Sequence, residues 1–129
     1  MSKKFVDQIR SNNQIAISKA ITSVESGDIL NKSFLDEIYK YSTSSLRIGI
    51  TGPPGAGKST LTDKLIDKFL QSNKSVGVIA VDPTSPFTGG ALLGDRVRMN
   101  NYLWNDDVFI RSLGARGELG GLSKKTQEI

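Results

Sequence analysis

Leu46-Arg47-Ile48-Gly49-Ile50-Thr51-Gly52-Pro53-Pro54-Gly55-Ala56-Gly57-Lys58-Ser59 joins an aliphatic, β-branched run to a glycine-rich turn ending in a lysine and a hydroxyl. Residues 46–51 predict a strand of the kind buried on both faces of a parallel sheet. Gly52 to Ser59 satisfies G-x-x-x-x-G-K-[ST], and a helix pattern follows at once. Leu61, Leu65, Ile66, Phe69 and Leu70 fall on one face of that helix, opposite Asp63, Lys64, Asp67 and Lys68. A second aliphatic run, Ser75 to Val81, completes a strand, helix, strand unit, and Val108 to Ile110 offers a shorter third strand. The fold class read from this pattern is α/β with a parallel sheet.

The turn has a chemical reading because each residue type has a task. Small Gly55 and Gly57 let successive N–H groups turn inward around phosphate oxygens, and the helix opening near Lys58 adds unpaired N–H groups and its positive dipole end. Lys58 is expected to reach the β and γ phosphates, Ser59 to ligate Mg²⁺ through its hydroxyl, and Thr60 to meet the α phosphate. Gly52, Pro53, Pro54 and Ala56 complete the loop. The bland alternative is a strand-to-helix turn that binds nothing, and a chance match in the right context is rare. Phosphate contacts do not read a base, so the loop leaves ATP and GTP, and hydrolysis and transfer, equally open.

Working outward, the first third of the chain is helical. Phe5, Ile9, Ala16, Ala20 and Val24 recur at threes and fours, interrupted at residues 11–14, which predicts a helix from Phe5 to Glu25 broken near Asn12 and Asn13. Ser26-Gly27-Asp28 supplies a stop, and a second helix runs from Ser33 to Tyr41. The expectation is an N-terminal helical hairpin over residues 1–45, with a polar linker at residues 42–45, ahead of the α/β part over residues 46–129.

Composition excludes several chemistries. The 129 residues suffice for one domain with a real core. With no Cys and no His, disulfides, thiolate nucleophiles, Ser/His/Asp triads and Cys/His zinc sites are excluded, leaving carboxylate and hydroxyl chemistry. The net charge of +4 gives modest support for an anionic partner, but the basic residues are scattered, and charge alone does not choose between nucleotide, nucleic acid and nothing; the expectation is a nucleotide and no nucleic-acid partner. Val78 to Val81 is far shorter than the roughly 18 residues of a membrane span, and no apolar signal core follows Met1. The expected location is cytoplasmic, without a membrane partner.

Beyond the second strand, Asp82 to Arg96 holds two prolines, three glycines and two carboxylates, the composition of a loop. Asp82 ends a parallel strand, on the edge where open α/β sheets bind ligands, and its carboxylate there can hold Mg²⁺ or its waters. Asp95 reads equally as the N-cap of a helix from Arg96 to Trp104 or as a loop carboxylate near the metal and attacking water. Ser123 looks like the N-cap of a further helix starting at Lys124.

Three segments together, Ile50 to Leu61, Ala80 to Met99 and Phe109 to Ser123, closely resemble the MeaB/ArgK family of P-loop G proteins, the GTPase chaperones associated with methylmalonyl-CoA mutase. Ala20 to Gly27 also looks like the family's N-terminal helix. The resemblance implies a G-protein-type P-loop NTPase sheet, GTP as ligand at Gly52 to Thr60, and Ser59, Asp82 and Asp95 as the Mg²⁺ shell. Asp95 would lie in the switch I region, acting with Lys58 in catalysis. It implies a cobalamin-dependent acyl-CoA mutase as partner and a homodimeric parent. Arg111 and Arg116 would fall in a loop that responds to nucleotide or touches the partner; the duller account is solvated charge around a glycine-rich turn.

Family members are more than twice this length. The switch II strand, the guanine-reading loop and a C-terminal dimerisation extension would lie after Ile129, and only 70 residues follow Ser59. The expectation is an N-terminal fragment of a GTP hydrolase, with an incomplete sheet and little hydrolysis of its own. An ATP-using small-molecule kinase and a non-catalytic remnant remain as alternatives.

Overall fold

A computed structural model describes residues 3–26, 32–41, 45–82, 100–102, 104–114, 126 and 129, with residues 32, 33, 82, 100 and 114 described by backbone alone. The chain divides into two compact units, one of Met1–Arg47 with Lys124–Ile129 and the other of Ile48–Ser123.

In the first unit the described elements are three helices, α1 (Lys3–Arg10), α2 (Gln14–Ser26) and α3 (Lys32–Tyr41). The predicted break is therefore complete, and the expected hairpin is a three-helix arrangement. Its cause is local. Asn12 takes the left-handed conformation (φ 58°) that asparagine tolerates, Asn12 N–H donates to Ile9 C=O (3.1 Å) and Asn13 N–H to Gln8 C=O (3.0 Å), closing a Schellman motif. Asn13 then caps the next helix, its Oδ1 accepting from Ala16 N–H at 2.9 Å. Val6, Ala16, Ile21, Val24 and Phe34 form the buried interior. α1 and α3 run in the same direction, since Phe5 meets Phe34 with ring centroids 5.8 Å apart while Arg10 lies 4.2 Å from the Tyr41 ring centroid.

In the second unit, α4 (Lys58–Gln71) follows the glycine-rich turn and packs on a parallel pair, β1 (Val76–Asp82) and β2 (Val108–Gly114). Val76 stands opposite Val108 and Asp82 opposite Gly114. The core is Ile66, Tyr102 and Val108, with Leu70, Val76, Val78 and Ile110 packed against it. Tyr102 comes from a 3-10 turn, Asn100–Tyr102, that precedes β2.

Four expectations change here. Residues 46–51 join no ladder among the described residues, and Leu46 and Ile48 are 75% and 49% exposed. Aliphatic sequence gives a strand only where a neighbour supplies hydrogen bonds and cover, and the described ladder joins β1 to β2 alone. The third strand reaches Gly114 rather than Ile110, carried on by its register with residues 79–82 of β1, so Arg111 is a half-buried strand residue opposite Ile79 and not a loop residue. Leu61, assigned to the core face of α4, is 52% exposed because it sits in the first turn beside the open loop. Of the helix expected over residues 96–104, the described part is the 3-10 turn; residues 96–99, Arg116 and the helix expected at Lys124 lie outside the described residues. Among the described residues no helix is long and apolar enough to cross a membrane.

Candidate functional site

The glycine-rich turn keeps the shape its composition allows. Gly55 and Gly57 have φ of 77° and 85°, and a Cβ at either would meet nothing within 4 Å. Their requirement is conformational, since an L side chain pays for this backbone even in open space. Ala56 N–H donates to Pro53 C=O at 3.3 Å, tightening the turn, and every residue from Gly52 to Gly57 is exposed.

α4 starts without a side-chain cap, Gly57 being its N-cap residue. Its ladder begins with Leu61 N–H donating to Gly57 C=O at 3.0 Å, so the amides of residues 58–60 lie outside the ladder, at the positive end of the helix dipole. The Lys58 side chain folds back over the turn, its Nζ donating to Gly52 C=O at 2.8 Å and to Pro53 C=O at 2.9 Å. The exposed turn, the helix start and the Lys58 ammonium thus lie together at one end of α4, and such groups can receive phosphate oxygens.

The sequence-predicted residues are brought together unevenly. Gly52, Pro53 and Lys58 are directly bonded, and Ser59 and Thr60 occupy the first turn of α4. Asp82 is the last residue of β1. Asp82 is described by backbone alone and Asp95 lies outside the described residues.

Sequence reasoning missed a second cluster on the same helix. The Tyr102 hydroxyl donates toward the Asp67 carboxylate (2.7 Å) and the Asp63 carbonyl (3.1 Å), sharing one proton between them. Asp63 Oδ1 is buried with no hydrogen-bond partner. Burial, then the hydrogen bond to Asp67, then the Asp67 and Asp63 charges, push the Tyr102 phenol up to about 12 from its ordinary value near 10. The available signal was an aromatic ahead of the third strand, which carries no information about a helix 35 residues earlier.

Comparison with known proteins bears on the same region. The family described as methylmalonyl Co-A mutase-associated GTPase MeaB matches residues 17–129. A Pyrococcus horikoshii protein provisionally named as a GTPase is 50% identical over 125 residues, covering 97% of this chain and 39% of its own length. Escherichia coli GTPase ArgK is 39% identical over 128 residues, covering 96% of this chain and 39% of its own length. The methylmalonic aciduria type A homolog of Caenorhabditis elegans, named as mitochondrial, is 36% identical over 141 residues, covering 98% of this chain and 35% of its own length. The chain spans about two fifths of the length of the curated relatives it matches.

Proposed function

We propose, for a chain that belongs to the MeaB family of methylmalonyl-CoA mutase-associated GTPases, that Gly52 to Thr60 bind the phosphates of Mg²⁺-bound GTP or GDP. In the longer protein the same loop would support GTP hydrolysis coupled to a chaperone role toward a cobalamin-dependent acyl-CoA mutase. The observation that carries the reading is the Lys58 ammonium held over the turn by the Gly52 and Pro53 carbonyls, beside helix-start amides left out of the ladder.

The chemistry follows from that convergence. The amides would bind phosphate oxygens without moving, and Lys58 would counter charge on the transferring phosphoryl group. The donors available for a metal are oxygens, the Ser59 hydroxyl with the carboxylates of Asp82 and Asp95, and such a hard set fits Mg²⁺. Bound there, Mg²⁺ would neutralise charge on the phosphate oxygens. Ser59 and Asp82 would hold it from the helix start and the strand tip, and Asp95 from the loop between the strands.

Titration of the chain with Mg²⁺ and a fluorescent GTP or GDP analogue tests this, with Lys58→Ala as control and unlabelled GTP and ATP as competitors. Wild type should bind. GTP and ATP should compete about equally on this chain because phosphate contacts read no base, a preference for GTP being expected only of the longer protein. Lys58→Ala should weaken binding about 100-fold or more, as loss of a charge-assisted phosphate contact does. Equal and negligible binding by both proteins would remove the reading.

A further inference from the structure

We infer that Tyr102 is a positioning residue for the nucleotide site, latching the phosphate-loop helix at Asp63 and Asp67 to the turn that opens β2. The inference rests on the nucleotide reading above. Tyr102 is 9% exposed, and its ring packs beside Ile66 and Val108 while its hydroxyl reaches the Asp63 carbonyl and the Asp67 carboxylate. Ser59, Asp63 and Asp67 are spaced four apart, so they stack along one side of α4. The Asp63 carbonyl points along the helix toward residue 67, so the hydroxyl meets both acceptors at one level, about two turns from Ser59. With the ring held beside Ile66 and Val108, that contact on one fixed face sets the rotation of α4 about its axis. That rotation decides where the Ser59 hydroxyl and the helix-start amides point.

Packing alone does not account for the hydroxyl. A phenylalanine would fill the same space, and it would not require a carboxylate to be drawn down to the core edge. Asp63 and Asp67, four residues apart, repel each other along the helix, and Asp63 Oδ1 goes without a hydrogen-bond partner. The chain accepts these costs and in exchange ties the turn before β2 to the helix that carries the phosphate loop.

The test measures Mg²⁺-dependent binding of N-methylanthraniloyl-GDP to the full chain, well below the unfolding transition of every variant. Tyr102→Phe, which keeps the ring and removes the latch, should weaken binding about threefold to tenfold, the scale on which small misplacements act. Asp67→Asn, whose amide oxygen still accepts the phenol proton, should stay within about twofold of wild type. If Tyr102→Phe does not fold, Asp67→Ala against Asp67→Asn carries the same contrast, with Asp67→Ala expected to lose affinity. A folded Tyr102→Phe that binds as well as wild type overturns the latch, as does an Asp67→Asn loss equal to that of Tyr102→Phe. Failure of wild type to bind overturns the nucleotide reading and the latch together, whereas normal wild-type binding with an indifferent Tyr102→Phe overturns the latch alone.

Discussion

The two ends of α4 solve the same problem in opposite ways. At the C-terminal end, Asn73 turns left-handed (φ 55°), its N–H donates to Leu70 C=O at 2.9 Å, and Lys74 N–H donates to Phe69 C=O at 3.0 Å. That is a Schellman motif, and it satisfies carbonyls that the helix cannot pair internally. At the N-terminal end, Gly57 also turns left-handed, yet no side chain caps the helix and the first amides stay outside the ladder. The C-terminal end closes with a Schellman motif, whereas at the N-terminal end the i→i−4 ladder starts only at Leu61, and under the proposed function that second end is the one that meets an anion.

The comparison holds only if something rigid joins the two ends, and Ile66 in the middle of α4, 2% exposed, is the residue to remove. Ile66→Ala should lower unfolding free energy by about 3 kcal/mol through lost transfer energy and the cavity left behind. Denaturant melts of the two proteins measure it. A loss below about 1 kcal/mol would mean that the helix is held by its ends and not by its core face.

Alkaline titration probes the same junction without a core cavity. Because the Tyr102 phenol is pushed up to about 12 in the fold, the folded state favours the protonated form. The stability it contributes is fully present below the unfolded value near 10 and is lost as pH climbs from there to about 12. The unfolding temperature of wild type should therefore fall more steeply over that window than that of Tyr102→Phe, with other alkaline titrations common to both. Parallel curves would mean that the phenol carries no net linkage.

How much of this was legible in the sequence follows from how local each signal is. The glycine-rich turn, α4 and the break at Asn12 and Asn13 were readable because glycine and asparagine declare backbone conformation, and a helix pairs its own backbone within four residues. Residues 46–51, expected to be a strand, join no ladder among the described residues, because strand propensity does not identify a partner. The tail of β2 was missed for the complementary reason, since a run containing Arg111, Ser112 and Gly114 is a strand only through its register with β1. Tyr102 was silent because its partners lie on another element. Asp82 was placed by a general rule about strand ends, and the structure puts it at the end of β1.

The finest test of the contrast uses the one conformation the two helix ends share. Gly57→Ala and Asn73→Ala each force alanine into a left-handed backbone, and each should cost about 1 kcal/mol of stability. The effects on ligand should separate completely. Gly57→Ala should impair binding of Mg²⁺ and the fluorescent nucleotide, because the amides that follow it depend on its φ, while Asn73→Ala should bind like wild type. Asn73→Gly should change stability by only a few tenths of a kcal/mol, because glycine relieves the left-handed strain but adds freedom to the unfolded chain. If Asn73→Ala weakened the nucleotide as much as Gly57→Ala at matched stability, the closed end would be part of the site. The division of labour along α4 would then be wrong.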